Sequence, residues 1–447
     1  MSRTRETNIG KVDWITVGIF AFMVIFGFMN IYSATYNPAH TSMFDFDTFH
    51  GKQLIWIGVS AILAVLIMYV EGDFFNKFAL PIYGFFTLLL VLVLLIGKEV
   101  NGAKAWFGVG DFGIQPSEFA KMATALMLAK YISGSESKLI GLTTRFYVAA
   151  IIGLPAALVL LQPDVGSVLV FIGFVFVLYR EGLSGNILLV GLAGIVLGSS
   201  SIIAGAAKAS FPFAGEVSGV WWIIIALFII GLLGVWIIKT MVVPRNRKRL
   251  YWIVIVSTVA ASSFSFSVNY VVDHVLKDHH KTRIYVLFGL ELPPELQKKS
   301  SDPGYNARMA KATVGSGGLL GQGFMGGPMT RSHFVPEQWT DFIFSAVAED
   351  WGFVGCLALI GLFVFLIFRL INMAERQRSS FSRIYGYGVA SILFMHLLIN
   401  VGMVIGLAPI IGIPLPFFSY GGSSLMAFTI LIFIMLRLDA ERLNIFK

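Results

Sequence analysis

Ionisable side chains that could carry out chemistry are concentrated in one polar, glycine-rich segment of an otherwise apolar chain. This segment runs from about residue 273 to residue 341, and we call it the large loop. Its basic residues include Arg283, Lys298, Lys299, Arg308, Lys311 and Arg331. Long loops cross a membrane largely regardless of their charge, so these cations need no function. The alternative is that they bind an anionic partner.

A second ionisable pair lies inside an apolar segment. Glu118 and Lys121 follow Pro116, a residue that suits the first turn of a helix. Their spacing of three positions puts both side chains on one helix face, where they can pair. Ionisable residues within a membrane span usually face a cavity or a partner and indicate a functional site. The alternative is an ion pair that only fixes helix packing.

Three further carboxylates stand at the ends of apolar segments. Asp164 follows a proline between two apolar runs, which favours a tight turn in which the aspartate caps the next helix. Glu337 and Asp341 precede another apolar run, and Asp341 either caps that helix or faces a polar cavity. The aspartates and histidines of residues 273–280 are more typical of a solvated loop than of a metal site.

The glycine-rich stretch at residues 315–327 is not a phosphate-binding Walker loop. Such loops end in Gly-Lys-Ser/Thr, and that ending is missing here. Glycine permits tight turns and close backbone approach. Non-helical backbone at membrane depth is tolerated only where protein or water covers it. We therefore expect a compact, re-entrant loop that lies against the helices.

The composition indicates an integral membrane protein. Of 447 residues, 57% are hydrophobic and only 13% are charged, and the mean hydropathy is +0.80. A soluble protein of this size could not bury so much apolar surface. The single cysteine, Cys356, cannot form an internal disulfide and is expected to be a buried apolar side chain. The first apolar run is long enough to span, which favours a membrane helix over a cleaved signal peptide.

Twelve apolar segments are predicted to cross the membrane, so that both termini lie on one side. They are residues 14–33, 53–70, 78–97, 116–132, 146–161, 165–180, 186–206, 219–239, 250–271, 342–369, 385–408 and 416–436. With this count, most short loops rich in Lys and Arg fall on the side of the termini, which the positive-inside rule makes cytoplasmic. The large loop is then outside. We expect a single membrane domain over residues 1–447.

Several sequence blocks, taken together and in order, resemble the SEDS family (shape, elongation, division and sporulation) of polytopic membrane proteins. The blocks are NGAKAW and QPSEFAK within residues 101–121, QPDVGS from residue 162, AKATVGSGGLLGQG from residue 310, VPEQWTDFIFSAVAED from residue 335, and GLAPIIGIPLPFFSYGGSS from residue 406. The opening segment and FGIQPSEFAK are more like the elongation branch, the RodA type, than the division branch, the FtsW type.

The resemblance implies a peptidoglycan glycosyltransferase that polymerises lipid II, the undecaprenyl-diphosphate-linked disaccharide peptide, at the outer face of the bacterial inner membrane. It implies an all-α membrane fold with a core of ten spans, so that two of the twelve form an extra pair near residues 186–239. The essential acid of the family lies in the large loop, and the matching segment SDPGY makes it Asp302. We expect Asp302 to act as general base toward the acceptor hydroxyl.

The matched blocks and the large loop also supply substrate-binding candidates. They are Lys104, Trp106, Gln115, Ser117, Glu118, Lys121, Asp164, Arg283, Lys311, Glu337 and Asp341. Basic residues or a divalent cation, Mg²⁺ or Mn²⁺, would stabilise the leaving diphosphate. The implied partners are a monofunctional class B transpeptidase with a single membrane helix and other membrane proteins of the elongation complex. No nucleic-acid partner is expected.

The chain departs from the family pattern at two places that bear on the site. The stretch before Ser300 looks inserted, and the segment after Asp302 is shortened. Ala105 stands where an arginine before the tryptophan is usual, and Lys104 is the neighbouring residue that could replace it.

Two other function classes remain open from the sequence. A lipid-linked precursor flippase or transporter would use Glu118 and Lys121 at a site in the middle of the membrane. A scaffold for cell-wall enzymes would need no catalytic residue at all. A polymerisation assay in detergent separates these classes, because transport needs two compartments.

Overall fold

The computed structural model describes residues 11–36, 42–100, 103–109, 112–134, 141–206, 208–211, 215–276, 281, 285, 288, 290 and 305–442. The first helices are α1 (Trp14–Ala34), α2 (Phe49–Tyr69), α3 (Gly72–Ile96), α4 (Pro116–Gly134), α5 (Leu142–Leu161), α6 (Val165–Ile172), α7 (Phe174–Arg180) and α8 (Gly185–Ala206). The next are α9 (Val220–Met241), α10 (Pro244–Tyr270), α11 (Tyr305–Ser316), α12 (Pro328–Arg331), α13 (Ile343–Glu375), α14 (Ser380–Ile405) and α15 (Gly422–Ala440). Short strands are β1 (Lys98–Val100), β2 (Ala103–Val109), β3 (Phe112–Ile114), β4 (Lys208–Phe211) and β5 (Gly215–Ser218).

Each of the twelve predicted spans falls on a helix. Within the described residues, ten helices are long and apolar enough to cross a membrane, namely α1, α2, α3, α5, α8, α9, α10, α13, α14 and α15. The remaining two predicted spans are α4, which carries three ionisable residues, and the pair α6 and α7, which meet at Gly173. The all-helical membrane class is confirmed, and the number of crossings stays a prediction.

The last span begins later than the sequence predicts. We expected residues 416–436 to be helical, but α15 starts at Gly422. Phe417 and Gly421 have positive φ angles of 68° and 156°, which a helix cannot contain. The segment before Gly422 is buried nonetheless, because Phe417 and Phe418 pack into the core.

The chain forms two compact units. The first comprises residues 1–183 and 305–447, and the second comprises residues 184–304. In the first unit, α14 and α15 lie at the centre, since 72% and 89% of their span residues are buried. Helix α4 packs against α3, α5, α14 and α15. Because protein rather than lipid surrounds it, α4 can hold ionisable side chains that a lipid-facing helix could not.

Helix α13 is interrupted where it meets the glycine-rich stretch. Gly352 has φ 67° and ψ −167°, which breaks the helix there. The freed backbone groups bond to the glycine-rich stretch instead. Gln322 N and Gly323 N donate to the carbonyls of Glu349 and Asp350, and Phe353 N and Val354 N donate to the carbonyls of Gly318 and Leu319. The glycine-rich stretch therefore lies against α13, and its re-entry into the membrane stays a prediction.

Charged residues from four connections meet at the end of the first unit where α1 begins and α15 ends. We call this the terminal end. Arg376 pairs with Asp13 and with Asp439, and Arg442 pairs with Asp439 at 2.9 Å. Arg383 pairs with Glu181 at 3.0 Å. The connections that the predicted number of crossings places on one side of the membrane therefore lie together in the structure.

Two short antiparallel sheets were not predicted. Strands β1, β2 and β3 form a meander that connects α3 to α4. Strands β4 and β5 form a hairpin between α8 and α9 in the second unit, where α10 packs against both of these helices. Helix α10 continues as a π-helical turn over Val271–Val275.

Candidate active site

The predicted pair of Glu118 and Lys121 forms in the first turns of α4. The helix begins at Pro116, as expected, and Lys121 Nζ lies 2.7 Å from Glu118 Oε1. Both side chains are only 2% exposed. A buried charge pair is stable only if its geometry is good and further hydrogen bonds satisfy the remaining groups. The surroundings of the pair therefore decide what it can do.

His396 of α14 is the third member of this cluster, and the sequence analysis did not single it out. Its Nε2 lies 2.8 Å from Lys121 Nζ, and its Nδ1 lies 3.1 Å from the carbonyl oxygen of Pro414. The ring of Phe428 closes the cluster, 5.8 Å from the lysine nitrogen and perpendicular to the imidazole. We call Glu118, Lys121 and His396 the central triad. The sequence did contain a signal for His396, because an ionisable residue within an apolar run indicates a functional site.

Some polar atoms of the central triad, and of residues within four positions of its members, are buried without a hydrogen-bond partner among the described residues. They include Glu118 Oε2 and Ser117 Oγ on α4 and Asn400 Oδ1 on α14. Asn400 itself donates its amide to the carbonyls of Asp341 and Ile413. Most buried polar atoms in native proteins are paired, so such exceptions call for an explanation. A polar ligand group or ordered water at these atoms would supply the missing partners.

A second polar cluster joins four elements through Gln115. Its side-chain amide donates to Asp164 Oδ2 at 3.0 Å, and its backbone N–H donates to Ser423 Oγ. Ser423 in turn donates to the carbonyl of Gly113. Asp164 also accepts from Ser167 N at the start of α6, so the predicted helix cap is confirmed. The tight turn between α5 and α6 is confirmed as well.

Lys104 lies on the strand face opposite Ala105, the position where the family usually has an arginine, and its role as a replacement stays a prediction. Successive side chains of a strand point to opposite faces. Ala105 is fully buried, whereas Lys104 is partly exposed and donates from Nζ to the carbonyl of Leu95, near the end of α3. Trp106 lies on the face opposite Ala105, with its ring over Gly113.

Asp341 does not cap the helix that follows it. Helix α13 begins at Ile343, and the N-cap residue is Phe342, without a side-chain cap. The carboxylate of Asp341 instead lies beside Gly412 of the proline-rich connection, and its carbonyl accepts from Asn400. Glu337 is exposed and has a φ of 51°. The capping alternative for Asp341 is therefore wrong.

Lys311 is the described candidate from the basic part of the large loop. It lies on α11, and the end of its side chain covers Gly406 at the carboxyl end of α14. Gly406 has φ 82°, and a side chain there would collide with the lysine. A cation at a helix carboxyl end is favourable. Asp302 and Arg283 lie outside the described residues.

Glu349 holds the connection that follows α11, a role the sequence analysis missed. Its carboxylate accepts from Ser316 Oγ, Met329 N and Thr330 N at 2.7–3.0 Å, and it is fully buried. Its neighbour Asp350 accepts from Ser33 Oγ on α1.

Among the described residues no three His, Cys, Asp or Glu side chains are grouped as metal ligands would be. Residues 278–280 lie outside that range.

Comparisons with known proteins agree over nearly the whole chain. The sequence profile of the FtsW, RodA and SpoVE cell cycle proteins matches residues 13–213 and 217–444. The chain is 30% identical over 446 residues to the peptidoglycan glycosyltransferase RodA of Treponema pallidum, which covers 98% of this chain and 100% of that one. It is 30% identical over 374 residues to the peptidoglycan glycosyltransferase MrdB of Escherichia coli K12, covering 83% and 80%.

Solved structures give the same result. One is a chain from work on the structural coordination of polymerization and crosslinking by a peptidoglycan synthase complex, at a TM-score of 0.64 and 27% identity, covering 96% of this chain and 98% of that chain. Another is the rod shape determining protein RodA of Thermus thermophilus, at a TM-score of 0.59 and 26% identity, covering 96% and 97%.

The profile match includes both α8 and α9, so it does not single out this pair as an addition to the family core. With the profile matched over both long ranges, and with the fold in agreement, the chain belongs to the FtsW/RodA/SpoVE family, the SEDS family of membrane proteins.

Proposed function

We propose that this chain is a peptidoglycan glycosyltransferase that polymerises lipid II at the outer face of the bacterial inner membrane. Membership of the family and the names of two relatives support this proposal. The observation that carries it is the central triad, a buried charge cluster in which one carboxylate oxygen has no hydrogen-bond partner among the described residues. Ionisable groups buried in a membrane helix usually face a cavity or a partner and indicate a functional site.

Glycosyl transfer to a sugar hydroxyl has three requirements. A base accepts the proton of the attacking hydroxyl, the anomeric carbon becomes oxocarbenium-like, and the leaving diphosphate needs stabilising positive charge. In our proposal Asp302 is the general base. It accepts the proton of the acceptor 4-hydroxyl as that oxygen attacks carbon 1 of the donor sugar, and the diphosphate leaves with inversion. One carboxylate suffices, because an inverting transfer forms no covalent intermediate. Lys311 and Arg283 are the residues that would stabilise the leaving diphosphate, and a divalent cation, if one binds, would supply further positive charge there.

The proposal also includes sidedness and a partner. The terminal end, with its clustered arginines, faces the cytoplasm, and the large loop faces outward. Both termini are then cytoplasmic. A solved relative comes from a peptidoglycan synthase complex that coordinates polymerization with crosslinking. We therefore propose a class B transpeptidase with one membrane helix as the partner of this chain.

The test of the catalytic base is the Asp302→Asn variant. We expect a folded protein that makes no glycan strands from lipid II, a loss of at least about 100-fold, because the amide cannot accept the hydroxyl proton. The measurement is polymer formation by purified protein in detergent. Asp47→Asn, which changes an exposed aspartate in the connection between α1 and α2, is the matched control and keeps the wild-type rate.

A folded Asp302→Asn protein with the wild-type rate would show that another group is the base. Glu337 and Asp341 are then next to be changed.

One observation favours a lipid-linked precursor flippase as the second candidate. The break of α13 at Gly352 and the buried charges of α4 are features that transporters use at their binding sites. Detergent removes the two compartments that transport needs. Wild-type protein that forms no polymer there, yet moves lipid II across vesicle membranes, would favour this candidate.

A further inference from the structure

We infer that His396 is a positioning residue, which holds the ammonium group of Lys121 in its working direction through a neutral ring protonated on Nδ1. The inference rests on the proposed function and on Lys121 being one of its substrate-binding candidates. Nothing in the sequence connects His396 with Lys121, because they are 275 positions apart.

The partners of the imidazole determine where its proton sits. Nδ1 faces the carbonyl oxygen of Pro414, which can only accept a hydrogen bond, so Nδ1 carries the proton. Nε2 faces the ammonium of Lys121, which can only donate, so Nε2 is the acceptor. A ring protonated on both nitrogens would lose this acceptor and put a second positive charge 2.8 Å from the lysine.

The directions of the lysine hydrogens are then fixed from three sides. One hydrogen points to Glu118 Oε1, another points to His396 Nε2, and the ring of Phe428 lies 5.8 Å away. A lysine ammonium is a compact charge on a flexible four-carbon stem with three rotatable donors. With Glu118 as its sole partner, it could swing about that contact. His396 removes this freedom.

The imidazole also connects the lysine to the outer part of the chain. Pro414 lies in the proline-rich connection between α14 and α15, which also contacts Asp341 and Asn400. A shift of this connection therefore changes the direction of the Lys121 ammonium through one side chain. Lys121 would respond in this way to whatever binds at the outer end of α14.

The first experiment compares two replacements in the full-length protein with lipid II as substrate. His396→Gln keeps both hydrogen bonds, because its carbonyl can accept from Lys121 while its amide donates to Pro414. His396→Leu is similar in size and makes neither bond. We expect the turnover of the glutamine variant at saturating lipid II to stay within about threefold of wild type. The turnover of the leucine variant should fall about tenfold or more, because it loses one hydrogen bond to a charged group.

His50 offers a matched control, since it is also fully buried, with contacts to Thr35 Oγ1 and to the carbonyl of Ser42. His50→Leu should lower the melting temperature without the loss of turnover. Equal turnover of folded His396→Leu and wild type would overturn the inference. Equal impairment of the glutamine and leucine variants would overturn it too, because the ring itself would then be required.

The second experiment does not depend on activity or on a leucine variant that folds. Solid-state nuclear magnetic resonance of ¹⁵N-histidine protein in lipid bilayers, compared with His396→Gln, isolates the signals of this one ring. We expect a neutral ring with its proton on Nδ1. A proton on Nε2, or a charged ring, would overturn the inference. Wild-type protein that makes no polymer would instead contradict the proposed function and leave this measurement valid.

Discussion

The two charged clusters of the first unit differ in how completely their polar atoms are paired. At the terminal end, Asp439 accepts hydrogen bonds from Arg376, Gln377 and Arg442, and it is fully buried. Asp13 accepts from Arg369, Arg376 and Thr16. Among the described side chains of this cluster, only Arg369 Nε is buried without a partner.

The hydrogen bonding of the central triad is less complete. Within the part of the chain that the structure describes, Glu118 Oε2 has no hydrogen-bond partner, and neither does Ser117 Oγ, the neighbour in sequence, although both are buried. The charge network of the terminal end, in which the carboxylates are paired several times over, ties helix ends together. An open one inside the helix bundle keeps polar atoms ready for a ligand, at a cost in stability. We therefore propose a structural role for the terminal end and a chemical role for the central triad.

The largest expected effect comes from removing one member of the buried pair. Lys121→Met leaves the Glu118 carboxylate buried and uncompensated, so we expect the free energy of unfolding to fall by about 3–5 kcal/mol and polymerisation to be lost. Thermal unfolding in detergent and the polymerisation assay measure the two effects.

The double variant Glu118→Gln/Lys121→Met is the control for this prediction. It removes both charges and should recover most of the lost stability, since replacing a whole buried pair is often neutral. It should remain inactive. If the double variant polymerised lipid II at the wild-type rate, the pair would be structural, and the contrast with the terminal end would disappear.

An intermediate effect is expected at Glu349, a buried carboxylate whose hydrogen bonds are fully made. Glu349→Gln turns an amide group toward Met329 N or Thr330 N, so at least one bond to the charged group is lost. We expect about 3 kcal/mol of stability to be lost, with faster proteolysis of residues 316–331. Ser332→Ala, an exposed change beside α12, should alter stability by less than about 0.5 kcal/mol.

The smallest effect concerns pH and the terminal end. Burial by itself would raise the pKa of Asp13, but hydrogen bonds from Arg369 and Thr16 and the charge of Arg369 outweigh it and lower the pKa from 3.8 to about 2. Because the folded-state pKa is lower, this carboxylate stabilises the protein above about pH 4, and the contribution is lost as pH falls toward 2.

The variant Asp13→Asn should therefore flatten the acid side of the stability profile. We expect a difference of about 1–2 kcal/mol, less than the full shift implies, because the arginines are partly exposed. Melting temperatures of both proteins between pH 6 and pH 2.5 measure it. Parallel curves of melting temperature against pH would show that the arginines and Thr16 do not stabilise the Asp13 carboxylate. Polymerisation by the variant near neutral pH should be unchanged.

The sequence was sufficient where the physical cause is local. The positions of the helices follow from the length of apolar runs, and each of the twelve predicted segments is helical over most of its length. The pairing of Glu118 with Lys121 follows from their spacing on one helix face. Asp164 caps α6 because a short acidic side chain after a turn can reach the backbone three residues on.

The sequence analysis missed the late start of α15 and the sheet of β1, β2 and β3. It predicted spans from apolar composition, which does not report the backbone conformation. The residues before Gly422 are apolar enough for a span, yet Phe417 adopts a left-handed conformation among packed neighbours. Two of the three strands before α4 have only three residues, and glycine interrupts β2 and β3, so no alternating pattern of apolar residues indicates them.

By itself, the sequence determined that this chain is a helical membrane protein of one family, and which ionisable residues lie within its apolar segments. Only the tertiary structure decided that His396 meets Lys121, that Glu349 anchors the backbone after α11, and that Asp341 does not cap α13. The reason is distance along the chain. Hydrogen-bond partners on different helices are chosen by packing, and the local pattern of one helix carries no record of its neighbours.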